Sequence, residues 1–346
     1  MIFNFFTDPH LGTRRAAHTT RESSKKLQRA LYEAGLAASP IEPLDVENVC
    51  LGDLFDKAFN PEDVLVQGHE VAGRCKWTLS GNHDETNRAD TVTTLAALKQ
   101  MGHSIISAPD LSTPYFEAHG ALYFVPHHAS QALFEQAMKD AAEHAAGNRD
   151  GQAAVLLLHC NYNCQFELQD DTLNLPEELA EQLLEQFDLI LLGHEHKPAL
   201  HLDGRVVILG NTHPTSFSDV SDKYRYLLDD ETADLIPVKI WSMEDSYRQL
   251  KYGDDIPDLS CVQFVDVVGA GGAEDAVAVA HYIQQVWAAG DDLLAVRNNV
   301  QIGDHLRDLE QVVTPQVSDL RTHIDADLEG SDLQPLYREL LKEVTA

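Results

Sequence analysis

At 346 residues, with a formal charge of −31 and five cysteines, the chain is long enough for one large α/β domain carrying a smaller appended unit. The odd number and irregular spacing of Cys50, Cys75, Cys160, Cys164 and Cys261 exclude a disulfide framework and favour a reducing compartment. No apolar stretch approaches a membrane span, and the opening residues lack the basic n-region of a cleaved signal, so a cytoplasmic protein without a membrane partner is expected.

In chain order, the run IFNFFTDPH at 2–10 reads as a buried strand ending in polar residues. A helix is predicted over 20–37, then the strand-like NVCLGDLFD at 48–56, a helix near 61–73, KWTLSGNHD at 76–84 and a helix over 90–101. The strand ALYFVP and an alanine-rich helix at 130–146 follow, then VLLLH at 155–159. The helix at 176–187 opens on Pro176 with Glu177 and Glu178 in its first turn. DLILLGHEH at 188–196 and RVVILGNTH at 205–213 are the last two core runs, and 224–241 has the pattern of a closing β-hairpin. Alternation of this kind makes an α/β domain, placed here at 1–243.

A polar stretch at 242–258 reads as a linker. Beyond it, the strand CVQFVDVVG, a Gly269–Gly272 turn, a helix and the strand DLLAVRNNVQIG form a compact α/β unit at 259–312. The glycine turn lacks a phosphate-binding pattern and reads as a connector. Leucines spaced through 313–346 suggest a helical tail and a partner-binding segment.

The ends of the first five core runs collect Asp8, His10, Asp53, Asn82, His159, His194 and His196. Seven oxygen and imidazole donors exceed what one ion needs. No cysteine is among them, so the set suits two hard or borderline divalent cations. Cys160 and Cys164 flank His159 without a second pair and read as packing residues. The negative charge opposes nucleic-acid binding, which rests on Lys and Arg displacing counterions from phosphates. Yet Arg14, Arg15, Arg21, Lys25, Lys26 and Arg29 face only Glu22 between residues 11 and 30, a local basic arm directly after His10.

The order of Asp8-Pro9-His10, Gly52-Asp53-Leu54-Phe55-Asp56, Gly81-Asn82-His83-Asp84, His159 and Gly193-His194-Glu195-His196 resembles that of calcineurin-like metallophosphoesterases. Within them, His10-Leu11-Gly12, the Leu-Phe-Asp ending at Asp56 and the segment Gly210 to Asp219 resemble the SbcD and meiotic recombination 11 nuclease group, including phage recombination endonuclease subunits. Lys57 stands where many relatives carry Arg, and Pro9 fills a variable position.

The resemblance implies a four-layer sandwich of two mixed sheets flanked by helices, with a C-terminal cap. It also implies a dinuclear centre, with manganese expected, in which Asp53 bridges the ions. Asp8, His10 and His196 complete one site; Asn82, His159 and His194 complete the other. His83 is expected as general acid to the leaving oxygen, Asp84 as the residue orienting its ring, and Asp56 as a support for the ligands from behind. The implied activity is DNA exo- or endonuclease action in recombination or repair, with an SbcC-type coiled-coil ATPase as partner and room for a homodimer. A small-substrate phosphodiesterase or phosphatase and a catalytically silent scaffold are the competing readings.

Overall fold

The computed structural model describes residues 1–13, 21–41, 46–86, 91–148, 153–164, 172–272 and 275–302. Arg14, Arg15 and the expected helical tail at 313–346 lie outside them. The first part alternates as β1 (Ile2–Phe6), α1 (Arg21–Ala38), β2 (Val46–Cys50), α2 (Glu62–Gly73), β3 (Cys75–Leu79), α3 (Thr94–Gln100) and the two-residue β4 (Ile105–Ile106). Next come β5 (Glu117–His119), β6 (Leu122–Val125), α4 (Gln131–Asn148), β7 (Val155–His159), β8 (Asn161–Tyr162), β9 (Asn174–Leu175), α5 (Glu177–Leu183) and β10 (Leu189–Gly193). Strands β11 (Ala199–His201) and β12 (Val206–Ile208) finish one sheet, and β13 (Lys223–Asp229) with β14 (Leu235–Trp241) return to the other.

Two six-stranded sheets result, ordered β14-β13-β1-β2-β3-β4 and β11-β12-β10-β7-β6-β5. The strands nearest the ligands run parallel to one another, β1 with β2 and β3, and β7 with β6 and β10. Their apolar runs are buried on both faces, as strands sandwiched between two layers require. Phe3, Phe5, Val49 and Leu51 of one sheet meet Phe124, Leu157 and Leu191 of the other in a central core. Helices α2 and α3 cover the outer face of the first sheet, and α4 and α5 cover that of the second. This is the α/β/β/α sandwich.

Several elements depart from their predicted bounds for identifiable reasons. Helix α3 starts late because the Thr93 side chain accepts the Ala96 N–H and caps it. Helix α5 stops at Leu183, and the Arg205 guanidinium takes the carbonyls of Leu184 and Phe187 just beyond its end.

The expected linker at 242–258 is instead structured. It holds α6 (Met243–Ser246) and β15 (Tyr247–Lys251), which pairs in parallel with β16 (Phe264–Gly271). Only Leu250 of β15 is buried, so the strand carries almost no apolar signal. The glycines at 269–271, expected as a connector, extend β16 and pair with β17 (Ala295–Ile302), while α7 (Ala276–Ala289) crosses between the two strands. This small three-stranded sheet packs through Phe264, Leu294 and Ala295 against Leu27 and Leu31 of α1 and against Trp241.

Candidate metal centre

Every residue expected as a ligand lies just beyond, or at the last residue of, a parallel core strand. Asp8 and His10 follow β1, Asp53 follows β2, Asn82 follows β3, His159 ends β7, and His194 and His196 follow β10. Carboxyl ends of parallel strands are where α/β folds place their sites, because the chain leaves the sheet there and is free to turn. The turning is sharp: Asp8, His10, Asp53 and His194 have φ of 54°, 46°, 47° and 89°. Left-handed backbone at residues other than glycine costs on the order of 1 kcal/mol or more each, and such strain gathers where side chains are held for a task.

The ligand atoms converge. His10 Nε2 and His196 Nε2 lie 2.9 Å apart, and His10 Nε2 is 3.5 Å from Asp8 Oδ1. His159 Nε2 is 3.2 Å from Asp53 Oδ2 and 3.9 Å from Asp8 Oδ1. His194 Nδ1 is 3.1 Å from Asn82 Oδ1. Three overlapping clusters follow among the described residues, Asp8-His10-His196, His10-Asp53-His83 and Asp53-His159-His194, the donor atoms in each lying within 4.8 Å of one another.

The pocket is shaped around His159. A Cβ on Gly52 would lie 2.5 Å from its Nδ1, one on Gly81 2.8 Å from its Nε2, and one on Gly193 2.7 Å from its Nδ1. The ring therefore requires glycine at three separate points of the chain, two in turns and one at the end of β10. Its Nδ1 donates to the Leu51 carbonyl at 2.7 Å, which leaves Nε2 to face the carboxylates. The Asp8 carboxylate is aimed by Thr7 Oγ1 and by the His194 N–H.

Burial opposes charge on Asp8 and Asp53, but the neighbouring histidines hold both well below the usual carboxylate range. Burial likewise opposes charge on His159, yet Asp53 and Asp8 lift it to about 10. Burial and the proximity of His159 push His194 down to about 4. Among the described residues, the ion pairs of Asp8 and Asp53 are all with histidines. Asp8 Oδ1 and His159 Nε2 are buried without a hydrogen-bond partner. Anionic and imidazole donors orphaned at one point fit divalent cations, which would take their lone pairs.

His83 is at the rim, its side chain 41% exposed. Its Nδ1 donates to the Asp56 carbonyl at 2.7 Å, which turns Nε2 toward the site, 3.9 Å from Asp53 Oδ2. Burial would lower its pKa, but Asp53 and the Asp56 carbonyl together raise it above the ordinary histidine value. The Asp56 side chain accepts from Thr13 Oγ1 at 2.8 Å and stands 3.9 Å from His10 Nδ1.

Asp84 does not orient His83. Its buried carboxylate accepts the backbone N–H groups of Gly81, Leu54 and Phe55, tying the Gly-Asn-His-Asp turn to the turn after β2. Burial and the charge of Asp53 push its pKa up to about 8. The group that fixes the His83 ring is the Asp56 carbonyl.

Of the basic arm, Lys25 is exposed, while Lys26 donates to the Asp291 carbonyl of the small domain and is not free to face the site. Arg21 begins α1.

Two residues without an expected role complete the surroundings. Asp219 accepts from His196 Nδ1 at 3.2 Å, and the fully buried Lys223 donates to the His196 carbonyl at 2.9 Å. Burial pulls Lys223 down to about 8 even though Asp219 opposes the shift. The acid after Ser216-Phe217 was the visible signal for Asp219; Lys223 looks like an ordinary strand residue.

The profile of calcineurin-like phosphoesterases matches residues 1–198, which contain the whole ligand set. The chain belongs to the calcineurin-like phosphoesterases. Members of this family use a dinuclear metal centre, and the His and Asp clusters described above could hold metal. No curated protein sequence matches it. Among the solved structures that are similar in part are two phosphoesterase-type proteins. One is described as a 5'-nucleotidase from Staphylococcus aureus in complex with alpha-ketoglutarate, 12% identical, with a TM-score of 0.40 over 69% of this chain and 52% of that one. The other is the calcineurin-like phosphoesterase YfkN from Bacillus subtilis, 13% identical, with a TM-score of 0.35 over 69% of this chain and 88% of that one. The chain thus spans about half the length of the S. aureus structure. No helix among the described residues is long and apolar enough to cross a membrane.

Proposed function

We propose that this phosphoesterase hydrolyses phosphodiester bonds in DNA, as a nuclease subunit of the SbcD type working beside a coiled-coil ATPase in recombination or repair. The observation that carries the reading is the pairing of two donor clusters with a half-exposed imidazole at their edge, His83, 5.1 Å ring to ring from His10. Asp8, His10 and His196 would hold one ion and Asn82, His159 and His194 the other, with Asp53 between them. When bound, two divalent cations, manganese in this reading, neutralise the phosphate oxygens and lower the pKa of the attacking water.

The remaining work falls to the chain. Asp53 Oδ1 accepts the His83 backbone N–H at 2.9 Å, so the carboxylate that would be shared by the ions and the proposed acid are positioned together. His83, with Nδ1 held by the Asp56 carbonyl, presents Nε2 to deliver a proton to the departing sugar oxygen. The segment Gly210 to Asp219 and the Leu-Phe-Asp turn are the sequence features that favour a nuclease over other phosphodiesterases.

The net charge of −31 favours the second reading, a phosphodiesterase or phosphatase for a small substrate, since a polyanion gains little from such a surface. Incubating the full chain with manganese and either end-labelled duplex DNA or bis(p-nitrophenyl) phosphate separates the two. Turnover of both supports the nuclease; turnover of the chromogenic diester with intact DNA sinks it.

A further inference from the structure

A histidine that gives Nε2 to a cation must carry its hydrogen on Nδ1, and the partner of Nδ1 decides how firmly that form is held. His159 meets the requirement through the Leu51 carbonyl, a neutral acceptor. His196 meets it differently: its Nδ1 faces Asp219 Oδ2 at 3.2 Å while its Nε2 points to His10 Nε2 at 2.9 Å.

Asp219 is held for this contact from several directions. Oδ2 also accepts from Asn211 Nδ2 at 2.8 Å and from Thr215 N and Oγ1 at 3.0 and 3.2 Å. Oδ1 accepts from Ser216 N at 2.8 Å and Ser216 Oγ at 3.3 Å. The residue is 4% exposed, so the carboxylate cannot swing into solvent. Lys223 Nζ secures the His196 carbonyl, fixing the backbone of the same residue. The loop itself lies against the small domain, where His213 Nε2 is 3.0 Å from Gln263 Oε1.

We propose that Asp219 is a positioning residue for the metal centre: it locks His196 in the Nδ1–H form and aims its Nε2 at the ion shared with Asp8 and His10. The assignment rests on the dinuclear reading above. Asp219 sets the affinity of one ion site and leaves the Asn82-His159-His194 site untouched.

The test is Mn(II) binding to the full chain by isothermal titration, with elemental analysis for stoichiometry, in wild type, Asp219→Asn, and Thr215→Ala as a control that removes a donor to the same carboxylate without touching His196. The wild type takes two equivalents, Asp219→Asn weakens one site by about 10- to 100-fold while the other is unchanged, and Thr215→Ala keeps both. Equal weakening of both sites in both variants makes Asp219 a strut of the loop and overturns the proposal, as does Asp219→Asn binding like wild type. A wild-type chain that takes no metal overturns the dinuclear reading itself, an outcome distinct from the others. Should Asp219→Asn fail to fold, long-range 1H–15N spectra of the Zn(II)-loaded wild type decide: His196 with its proton on Nδ1 is expected, and a proton on Nε2 overturns the assignment.

Discussion

His159 donates its Nδ1–H to the Leu51 carbonyl at 2.7 Å, and its Nε2 lies 3.2 Å from Asp53 with no hydrogen-bond partner of its own. Leu51 is the residue before Gly52, whose turn carries Asp53, so one backbone carbonyl sets the ring that shares a cluster with that carboxylate. Removing the ring should therefore empty its site. His159→Ala is expected to fall below two ions per chain by elemental analysis and to lose nearly all phosphodiesterase activity. A His159→Ala protein with two ions would show that the ring is not a ligand.

His83 separates chemistry from metal binding. Its Nε2 faces the site from a half-exposed rim position and lies within reach of His10 and Asp53; as the proposed acid and not a ligand, His83→Ala should keep its metal content while turnover of a diester with a poor leaving group falls by about two to four orders of magnitude. The loss should shrink with p-nitrophenolate, which leaves without needing a proton. Equal losses on both substrates would remove His83 from the acid role.

Two glycines offer opposite outcomes from the same substitution. A Cβ on Gly193 would stand 2.3 Å from Thr7 Oγ1 and 2.6 Å from the Leu51 carbonyl, so Gly193→Ala must displace the very groups that aim Asp8 and His159. A loss of about 1–3 kcal/mol is expected, together with weaker metal binding. At Gly147 in α4 a Cβ meets nothing within 4 Å, and Gly147→Ala should stabilise by about 0.5–1 kcal/mol. Urea unfolding of both variants checks the pair.

Gln263 joins the two domains by one atom. Its Oε1 receives Trp241 Nε1 at 2.7 Å and His213 Nε2 at 3.0 Å. Gln263→Leu leaves the Trp241 Nε1–H unpaired and should cost about 1–3 kcal/mol before relaxation. Truncation after Trp241 goes further, since it also bares Leu27 and Leu31 of α1. Urea midpoints for Gln263→Leu matching wild type would show that the junction is not structural.

The thiols should titrate in a set order. Burial raises the pKa of Cys50 well above its ordinary value, raises that of Cys160 likewise, and lifts Cys75 to about 12, so all three remain protonated thiols at pH 8. Cys261 is exposed. With a disulfide-exchange reagent at pH 8, Cys261 should react first, and Cys50 and Cys160 only after denaturation; mass spectrometry of labelled peptides reports the order.

The converging donors were legible in the sequence because they follow apolar runs, so strand and donor appear in one string, as in VLLLH ending at His159. The α/β class was legible from the alternation of those runs with helices, whereas the two-sheet sandwich came from the family resemblance. Asp84 was misread because a motif shows adjacency to His83 but not the direction of a side chain; burial turned the carboxylate inward to three amides. Strand β15 was hidden because Leu250 alone carries its inward face, and four polar or half-exposed neighbours resemble a linker. The segment ending at Asp219 was visible in the sequence, but its contact with His196, 23 residues away, was not, since no local pattern reports which side chain a distant acid meets.

Strand β1 leads directly into Asp8, the first donor of the site, and lies between β2 and β13, with Ile2 opposite Asp229. One hydrogen-bonding edge of that strand has no partner until residues far along the chain exist. At the usual 5–20 residues per second, a ribosome needs roughly 10–45 s to reach them. During that interval β1 can pair only with β2, and the last histidines and Asp219 are made only near its end. The centre is thus a late product of folding: pairings of such long sequence separation slow the search, and ions arriving early meet a chain that cannot yet hold them in the native geometry.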